Sequence, residues 1–322
     1  MRAIVHTAAG GPEVLALRDR PAPEAGPGQI RVRVRAAGLN RADLLQRRGA
    51  YPAPPGWPAD IPGLEYAGDV AVLGDGVTRW RPGDRVMGLV GGGAHAEYVV
   101  VQQDEALRVP DGLTFTEAAA VPESFLTGWD ALVTRGRLQP GERVLLHAVG
   151  SGLGTAMIQL AKRLGATVLG TSRTAAKLEQ ARAVGMDAGI DTSTGSFREA
   201  VVPPVDVVID VLGGPAFADN LAVLAPRGRL VMLGFLQGPL VETSLEPLLR
   251  KRLEVIGSVM RTRGLEERIG LVREFTERVL PWFAAGSPLR PVIGATFAMT
   301  DVAAAHRAME ANEPFGKIVL TW

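Results

Sequence analysis

The stretch Arg143-Val144-Leu145-Leu146-His147-Ala148-Val149-Gly150-Ser151-Gly152-Leu153-Gly154-Thr155 decides the fold of this chain. A short apolar run leads into small residues and then into an amphipathic helical pattern over 152–165. Glycines let a backbone approach a pyrophosphate closely, and a helix N-terminus supplies N–H groups and a partial positive charge. The stretch therefore predicts the strand, loop and helix of a dinucleotide site, with a purely structural turn as the alternative.

The glycine spacing in this stretch matches the G-x-G-x-x-G pattern imperfectly. Counting back from Gly154, the first two glycine positions of the pattern hold Val149 and Ser151. The position between a strand and a helix nevertheless favours contact with phosphate. We expect that contact to come from the consecutive residues Ser151, Gly152, Leu153 and Gly154.

The next apolar run indicates which dinucleotide binds. A site for NAD usually carries Asp or Glu about 20 residues after the glycines, where it binds the ribose 2′-hydroxyl. The segment 169–177 has no acidic residue and carries Arg173, Thr174 and Lys177 instead. Hydroxyl and cationic side chains suit a 2′-phosphate, so we expect NADPH or NADP+. The alternative is that Arg173 and Lys177 are solvated charges at the start of a helix.

The two halves of the chain differ in pattern. The second half alternates helical segments with short, mostly apolar runs, which predicts a doubly wound parallel sheet. The first 120 residues combine turn signals with alternating β-rich runs, which predicts a mostly antiparallel β domain. An amphipathic helix is expected over 265–285. We expect a β domain over 1–123, a dinucleotide-binding domain over 124–261 and a return segment over 262–322 that completes the first domain.

The composition is that of a globular protein without an electrostatic preference. Among 322 residues, 35 Lys plus Arg balance 34 Asp plus Glu, which gives no basis for nucleic-acid or anionic-membrane binding. There is no cysteine, which excludes disulfides and thiolate zinc sites. The N-terminus lacks the apolar core of a signal peptide and no membrane-spanning run occurs, so we expect a soluble cytoplasmic protein with no membrane partner.

The four histidines, His6, His95, His147 and His306, are scattered through the chain. None of them has the spacing of a metal ligand, so we expect no metal site. His147 ends the first strand of the dinucleotide domain and is expected to be a hydrogen-bonded core residue. His95, within a glycine-rich segment, is expected to face solvent.

Three further segments resemble a known family. They are Gly38–Tyr51 (GLNRADLLQRRGAY), Leu253–Ser258 (LEVIGS) and Asn312–Val319 (NEPFGKIV). With 151–154 they resemble the zinc-free, zeta-crystallin-like quinone oxidoreductases of the medium-chain dehydrogenase/reductase superfamily, closest to the p53-inducible quinone oxidoreductase branch. The resemblance spans essentially the whole chain. It implies an α/β protein with a GroES-like, mostly antiparallel β domain and a Rossmann domain built on a doubly wound parallel sheet.

The resemblance also implies that no zinc takes part. Zinc alcohol dehydrogenases of this superfamily carry Cys where this chain has Asn40, and Gly-His-Glu where it has Gly63-Leu64-Glu65. Without zinc to polarise an alcohol or a carbonyl, alcohol oxidation is disfavoured. A quinone or an α,β-unsaturated carbonyl compound accepts hydride at a conjugated carbon, and a few hydrogen-bond donors are enough to stabilise the charge that develops on its oxygen.

Position by position, the resemblance implies a catalytic set. Asn40, Asp43 and Tyr51 would line a cleft between the domains, and Ser151 would join them from the phosphate loop. Tyr51 is the best candidate to orient the acceptor or to donate a hydrogen bond to it. The alternatives are that Tyr51 packs within a proline-rich loop and that Asp43 is a surface carboxylate on a short helix.

Further residues are expected to bind the cofactor. Arg173, Thr174 and Lys177 would hold the 2′-phosphate, and the other positions implied by the resemblance, near the nicotinamide or elsewhere on the cofactor, are Thr127, Gly234, Phe235, Asn312 and Lys317. For three of these residues a purely structural role is the alternative. Thr127 would bond to its own helix backbone, Phe235 would belong to the core, and Lys317 would be an exposed charge at the start of a strand.

The resulting prediction is a zinc-independent, NADPH-dependent reductase that transfers hydride to small-molecule quinones or enones. The alternatives are an enoyl-thioester reductase and an NADPH-binding structural or sensor protein with little turnover. A homodimer is expected through an edge strand at 253–259, because an exposed apolar edge otherwise invites aggregation. A monomer whose edge is covered by the helix at 265–285 is the other possibility.

Overall fold

A computed structural model describes residues 1–284 and 289–322 of the chain. Within these ranges the chain forms two compact units. The first, which we call the β unit, consists of Met1–Leu126 and Met260–Trp322, and the second, the parallel-sheet unit, consists of Thr127–Val259. The predicted position of residue 285 at the end of a helix lies outside the described residues.

The strands are short and follow one another closely along the chain. In order they are β1 (Arg2–His6), β2 (Leu15–Asp19), β3 (Gln29–Leu39), β4 (Glu65–Leu73), β5 (Arg85–Leu89), β6 (Tyr98–Gln102), β7 (Ala106–Arg108), β8 (Arg143–Leu146), β9 (Thr167–Ser172), β10 (Ala188–Asp191), β11 (Val205–Asp210), β12 (Leu224–Met232), β13 (Glu254–Gly257), β14 (Ile293–Ala298) and β15 (Lys317–Thr321).

The α-helices are concentrated after residue 110. They are α1 (Arg41–Arg47), α2 (Phe115–Ala118), α3 (Thr127–Trp129), α4 (Gly152–Arg163), α5 (Ala175–Ala183), α6 (Ala216–Val223), α7 (Glu246–Lys251), α8 (Leu265–Arg278) and α9 (Val302–Glu310). Two π-helical segments, Pro122–Leu126 and Asp130–Arg135, flank α3. In the described ranges, no helix combines the length and the apolar character that crossing a membrane requires.

The β unit is built on a seven-stranded sheet of order β14-β15-β3-β4-β5-β7, with β6 paired to β3 outside this path. All pairs are antiparallel except β14 with β15. Along β3, Ile30, Val32 and Val34 are buried while Arg33 and Arg35 are exposed. This alternation is the one expected of a strand with one face on a core, and the predicted antiparallel domain is confirmed.

The parallel-sheet unit has six strands in the order β10-β9-β8-β11-β12-β13, and every neighbouring pair is parallel. The apolar residues Val144, Leu145 and Leu146 of β8 are fully buried at its centre. The strand order reverses between β8 and β11, and ligands bind at the carboxyl ends of the strands beside such a switch point. The predicted doubly wound sheet is confirmed.

Two details differ from the expectations. Helix α8 ends at Arg278 rather than near residue 285, because Pro281 enters a 3-10 turn, Leu280–Phe283, and has no N–H to extend the helix. Phe283 is buried although it lies beyond the helix. In β13, Val255 is partly exposed rather than buried on both faces, because β13 pairs only with β12 and forms the edge of its sheet.

Candidate active site

The phosphate loop after β8 folds tightly onto the first turn of α4. Ser151 caps this helix, and its Oγ accepts a hydrogen bond from the Gly154 N–H at 3.0 Å. A Cβ on Gly154 would lie 2.6 Å from the carbonyl oxygen of Ala148, so this turn requires glycine. The first-turn N–H groups of a helix, here including those of Gly152 and Leu153, have no acceptor within the helix and suit an anion.

Cationic and hydroxyl side chains gather where β9 ends. Ser172 Oγ accepts a hydrogen bond from the Thr174 N–H at 3.1 Å, and Thr174 precedes α5. Arg173 and Thr174 are exposed to solvent. The stem of Lys177 lies against the phosphate loop, because a Cβ on Gly150 would lie 2.6 Å from Lys177 Cδ. This end of the sheet therefore places cationic and hydroxyl side chains beside the phosphate loop.

Two further predicted residues of this unit offer surfaces for a ligand. Thr127 Oγ1 is buried and, among the described residues, has no hydrogen-bond partner, so the alternative of a bond to its own helix backbone is wrong. A buried hydroxyl without a partner is costly, which fits a group completed by a ligand. Phe235 follows Gly234 beyond the carboxyl end of β12 and is 55% exposed, so it does not belong to the core. With the glycine turn, these features fit a dinucleotide.

His147 is a satisfied core residue, as expected. It is almost completely buried, with Nδ1 2.8 Å from Thr171 Oγ1 and Nε2 2.7 Å from Asn220 Oδ1. Burial lowers its pKa, so the ring is neutral near pH 7. Both ring nitrogens are engaged within this unit, so His147 joins the end of β8 to β9 and α6.

In the β unit, α1 brings Asn40 and Asp43 together. Asn40 precedes the helix, and its N–H donates to Asp43 Oδ2 at 2.7 Å. The other oxygen, Oδ1, accepts the N–H of Gly63 at 2.9 Å. Asp43 is fully buried, so the expected alternative of a surface carboxylate is wrong. Its two backbone contacts fix Asn40 and the segment that leads into β4.

Lys317 supplies a buried positive charge beside Asn40. Its Nζ donates to Asn40 Oδ1 and forms an ion pair with Glu65, and the side chains of Lys317 and Glu65 are only 5% and 0% exposed. Asn40 Nδ2 donates to Glu65 Oε1 at 2.9 Å, which closes the triangle. The alternative of an exposed strand-start charge is therefore wrong, because the start of β15 lies inside the unit.

Arg261 fixes the position of Tyr51. Its Nη1 donates to the Tyr51 carbonyl at 2.8 Å, its Nε donates to the Gly91 carbonyl at 2.9 Å, and its guanidinium lies 4.8 Å from the centre of the Tyr51 ring. The Tyr51 hydroxyl makes no hydrogen bond among the described residues. Burial raises the pKa of Tyr51, so the phenol stays protonated near pH 7 and remains a donor.

Glu123 completes the polar groups of the β unit. It lies on the π-helical segment 122–126, and its backbone N–H donates to Glu65 Oε2 at 2.8 Å. Burial, followed by repulsion from Glu65, raises the pKa of Glu123 to about 7, although Lys317 and Arg261 pull it down. A carboxyl group that titrates near neutrality is able to hold or release a proton under physiological conditions.

We call this set the acidic cluster: Asn40, Asp43, Glu65, Glu123 and Lys317. Sequence reasoning found three of its members and missed Glu65 and Glu123 as site residues, as well as the neighbouring Arg261. The Gly-Leu-Glu segment was a signal for Glu65. No short-range pattern marks Glu123 or Arg261, which are distant from the other members in sequence.

Two remaining residues complete the comparison with expectation. Asn312 adopts a left-handed backbone, φ 55°, and its Oδ1 accepts from Arg41 Nη2 at 2.7 Å. His95 is fully buried, so the expectation that it faces solvent is wrong. Its main chain packs against Gly63, where a Cβ would lie 2.5 Å from the His95 nitrogen. Burial lowers the pKa of His95, which leaves the ring neutral.

Within residues 1–284 and 289–322, no group of three or more His, Cys, Asp or Glu side chains is arranged to hold a metal ion. In the acidic cluster, Glu65 Oε1 and Asn40 Oδ1 are directed at the ammonium of Lys317, and Glu65 Oε2 accepts the Glu123 N–H.

Two family descriptions match the chain. The description "Alcohol dehydrogenase GroES-like domain" matches residues 26–111, and "Zinc-binding dehydrogenase" matches residues 152–283. A human protein named synaptic vesicle membrane protein VAT-1 homolog is 34% identical over 99% of this chain and 86% of its own length. A quinone oxidoreductase of Pseudomonas aeruginosa is 36% identical over 98% of both chains.

Solved structures agree with these relatives. A quinone oxidoreductase of Pseudomonas syringae is 31% identical and superposes with a TM-score of 0.89 over 100% of this chain and 99% of its own. A mycobacterial protein in complex with NADPH is 28% identical, with a TM-score of 0.88 over 100% of both chains. The CurK enoyl reductase is 26% identical, with a TM-score of 0.87 over 99% of this chain and 98% of its own. The chain is an oxidoreductase of the medium-chain dehydrogenase/reductase superfamily, with quinone oxidoreductases among its relatives.

Proposed function

We propose that the chain is an NADPH-dependent reductase that transfers hydride to quinones or α,β-unsaturated carbonyl compounds without a metal ion. One observation carries this proposal: Asn40 and Glu65 bind the ammonium of Lys317, so their oxygens are already engaged by a cation of the protein itself. An acceptor that needs no Lewis acid suits such a site, and conjugated carbonyl compounds meet this condition.

The parallel-sheet unit would hold the cofactor. Ser151, Gly152, Leu153 and Gly154 would bind the pyrophosphate through the first turn of α4, and Arg173, Thr174 and Lys177 would hold the 2′-phosphate. Thr127 would gain the partner its hydroxyl lacks, and Gly234 and Phe235 would contact the nicotinamide. When bound, the reduced nicotinamide supplies the hydride.

The β unit would bind the acceptor. The protonated Tyr51 hydroxyl would donate a hydrogen bond to the acceptor oxygen, where negative charge develops as hydride arrives. Asn40 would line the same site, and Asp43 would position Asn40 through its N–H. Lys317 and Asn312 would contact the cofactor. The other possibility is that Lys317 stays paired with Glu65 and acts as a fixed positive charge. The Ser151 hydroxyl accepts from Gly154 and keeps its own proton to donate to the ribose or to the reacting groups.

The first experiment measures loss of the reduced-nicotinamide absorbance with NADPH and with NADH across ortho- and para-quinones, a simple enone and a crotonyl thioester, with EDTA throughout. We expect quinone or enone turnover that favours NADPH and does not respond to EDTA. Lys177→Met is expected to reduce the preference for NADPH about tenfold, which corresponds to 1.4 kcal/mol. The control Lys162→Met removes a lysine whose ion pair with Asp187 lies away from the phosphate loop and keeps the preference.

Two alternatives would give different results. Turnover of the thioester alone would assign the chain to the enoyl reductases, a possibility favoured by its similarity to the CurK enoyl reductase. NADPH binding without oxidation by any acceptor would favour a binding protein with little turnover. Equal use of NADH and NADPH would contradict the proposed role of the β9 end.

The proposal includes a homodimer formed through the edge strand at 253–259. Support comes from exposed apolar side chains in the same part of the parallel-sheet unit: Val255 on β13, and Leu240, Leu245, Leu249 and Val259 nearby in sequence. An unpaired edge strand that carries apolar side chains is a template for pairing with a second copy.

A further inference from the structure

Glu123 is the half-buried member of an otherwise fully buried segment. On the π-helical segment 122–126, Pro122, Ser124, Phe125 and Leu126 are all buried, and Glu123 alone keeps partial access to solvent. π-Helical turns occur frequently at functional sites because they redirect a side chain from the regular helical path. Here the backbone of Glu123 is fixed by its N–H bond to Glu65 Oε2.

The Glu123 carboxyl group has no hydrogen-bond or ion-pair partner in the described part of the chain. Every other carboxylate of the acidic cluster is committed: Asp43 to two backbone N–H groups, and Glu65 to Asn40, Lys317 and the Glu123 N–H. Glu123 is therefore the one carboxyl group of the cluster that is able to exchange a proton without breaking a contact.

The charges that face Glu123 come from four elements of the β unit. Glu65 on β4 and Asp43 on α1 disfavour its ionised form, whereas Lys317 on β15 and Arg261 in the segment after residue 260 favour it. Two of these charges raise the pKa of Glu123 and two lower it, and burial, which raises it, is the largest effect. The acid therefore keeps its proton up to a pH of about 7.

Tyr51 is the neighbour that links Glu123 to the acceptor. The charge of Glu123 acts on the Tyr51 phenol, and Arg261 acts on both groups. Arg261 also clamps the Tyr51 carbonyl and ring, which holds the hydroxyl donor in place within the same set of charges that acts on Glu123. A hydrogen-bond donor and an acid that act on the same acceptor oxygen stabilise its charge as that charge grows.

We propose that Glu123 is the proton donor of the reaction and protonates the enolate formed when hydride adds to an α,β-unsaturated carbonyl compound. This rests on the function proposed above. Hydride from the reduced nicotinamide would form a C–H bond at the β-carbon, while the C=C π pair shifts to join the α-carbon to the carbonyl carbon and the carbonyl π pair moves onto the oxygen. The Glu123 O–H bond then breaks and its proton forms an O–H bond at the enolate oxygen. The resulting enol tautomerises to the saturated carbonyl compound, and solvent returns a proton to the carboxylate.

If Glu123 is the proton donor, the reduction of enones depends on it more than the reduction of quinones does. A reduced quinone is an aromatic phenolate, a weak base that is stable as an anion and is able to leave the site unprotonated, whereas an enolate is a much stronger base that must be protonated to complete the reduction. Loss of the acid should therefore affect enones far more than quinones. This difference is a signature that a purely structural role of Glu123 would not produce.

The experiment compares wild type with Glu123→Gln, which keeps the size and polarity of the side chain, and with Glu274→Gln, which changes a half-exposed carboxyl group on α8 that pairs with Arg278. For an enone we expect wild-type kcat to fall as the pH rises through about 7, since the acid works only when protonated. In Glu123→Gln we expect kcat near pH 6 to fall about 100-fold and this pH dependence to disappear. Quinone reduction should fall less than about threefold, which is 0.65 kcal/mol by the same conversion. Glu274→Gln should match wild type.

A second readout does not depend on turnover. Difference infrared spectra of the cofactor-free protein should show a protonated carboxyl band in wild type near pH 6 that is lost by about pH 8 and is missing in Glu123→Gln. Unchanged melting temperature and NADPH binding identify a folded variant, and Glu123→Asp, which keeps the acid on a shorter stem, should restore the pH dependence in part. An unaltered enone profile in Glu123→Gln, or a band that titrates near pH 4, overturns the assignment. If wild type reduces neither enone nor quinone, the proposed function fails as well.

Discussion

At the scale of single residues, the Lys317–Glu65 pair shows how burial changes the contribution of a charged side chain to stability. A lysine at the start of a strand normally has its ammonium in solvent. β15 begins inside the β unit, however, and the Lys317 ammonium contacts both Glu65 and Asn40. Two opposite charges removed from water remain acceptable only while both are present. Removing one leaves the other uncompensated in a medium of low dielectric constant.

Lys317→Met should therefore destabilise the protein strongly. We expect the free energy of unfolding to fall by about 3–5 kcal/mol, because Glu65 loses its counter-charge while fully buried. The measurement is chemical denaturation. Lys162→Met, which breaks a half-exposed pair with Asp187, should cost at most about 1 kcal/mol. The double variant Glu65→Gln/Lys317→Met should recover much of the loss, and no recovery would contradict this account.

Residue-level prediction succeeded where the signal was local. The position of Ser151 at the start of α4 and the core role of His147 both follow from the pattern around the phosphate loop, and the structure bears them out. His95 was wrongly expected to face solvent, because its glycine-rich surroundings are typical of an exposed turn. Glu123 was missed because its importance depends on Glu65, which is far away in sequence and is brought close only by the sheet.

At the scale of elements, the junction of β8 and α4 is the most demanding part of the chain. The helix begins so close to the strand that the Cα of Gly154 faces the carbonyl of Ala148 with no room for a methyl group. The same closeness points the first-turn N–H groups toward the carboxyl end of the sheet. Stability and the proposed anion binding would thus depend on the same glycine.

Gly154→Ala should weaken both properties. We expect unfolding to become about 1–3 kcal/mol easier, because backbone atoms must move to admit the Cβ. NADPH affinity should fall about tenfold or more, equivalent to 1.4 kcal/mol. Gly270→Ala is the matched control: Gly270 lies within α8 with nothing within 4 Å of the added Cβ, and this change should stabilise the protein by about 0.5–1 kcal/mol. Thermal unfolding and fluorescence titration check both variants, and normal NADPH binding by Gly154→Ala would count against the phosphate site.

Element types were predictable from periodicity, whereas some boundaries were not. The apolar runs of β8 and β11 and the helical face of α4 have clear periods, and each element is present. The helix expected over 265–285 ends at Arg278, since a proline stops hydrogen bonding while apolar spacing continues through Phe283. The π-helical turns on both sides of α3 have no sequence period of their own, so they were not foreseen.

At the scale of the whole molecule, the alternation of strands and helices after residue 143 was sufficient to predict the parallel sheet, and the turn-rich first part predicted the antiparallel one. Both are confirmed, together with membership of the superfamily. The substrate was not predictable at this level, because related folds carry different chemistry in their sites.

Assembly gives the last prediction. Wild type should sediment as a dimer, and Val255→Glu should sediment as a monomer, because a charge on β13 would repel an identical strand. Val72→Glu is the control, since Val72 on β4 is 38% exposed and Val255 is 39% exposed. Analytical ultracentrifugation separates the two masses. A wild type that stays monomeric at high concentration, or a dimer that Val255→Glu leaves intact, would remove this edge as the interface.

The position of β15 also affects how the chain is made. This strand lies between β14 and β3, so the sheet that begins with residues 29–39 is finished only after residues 317–321 have left the ribosome. During most of synthesis, the part of β3 that β15 pairs with, residues 36–39, stays uncovered on one side while the parallel-sheet unit emerges. Arg35 immediately precedes this part, and a charge beside an unpaired edge keeps a nascent strand from pairing with the wrong chain.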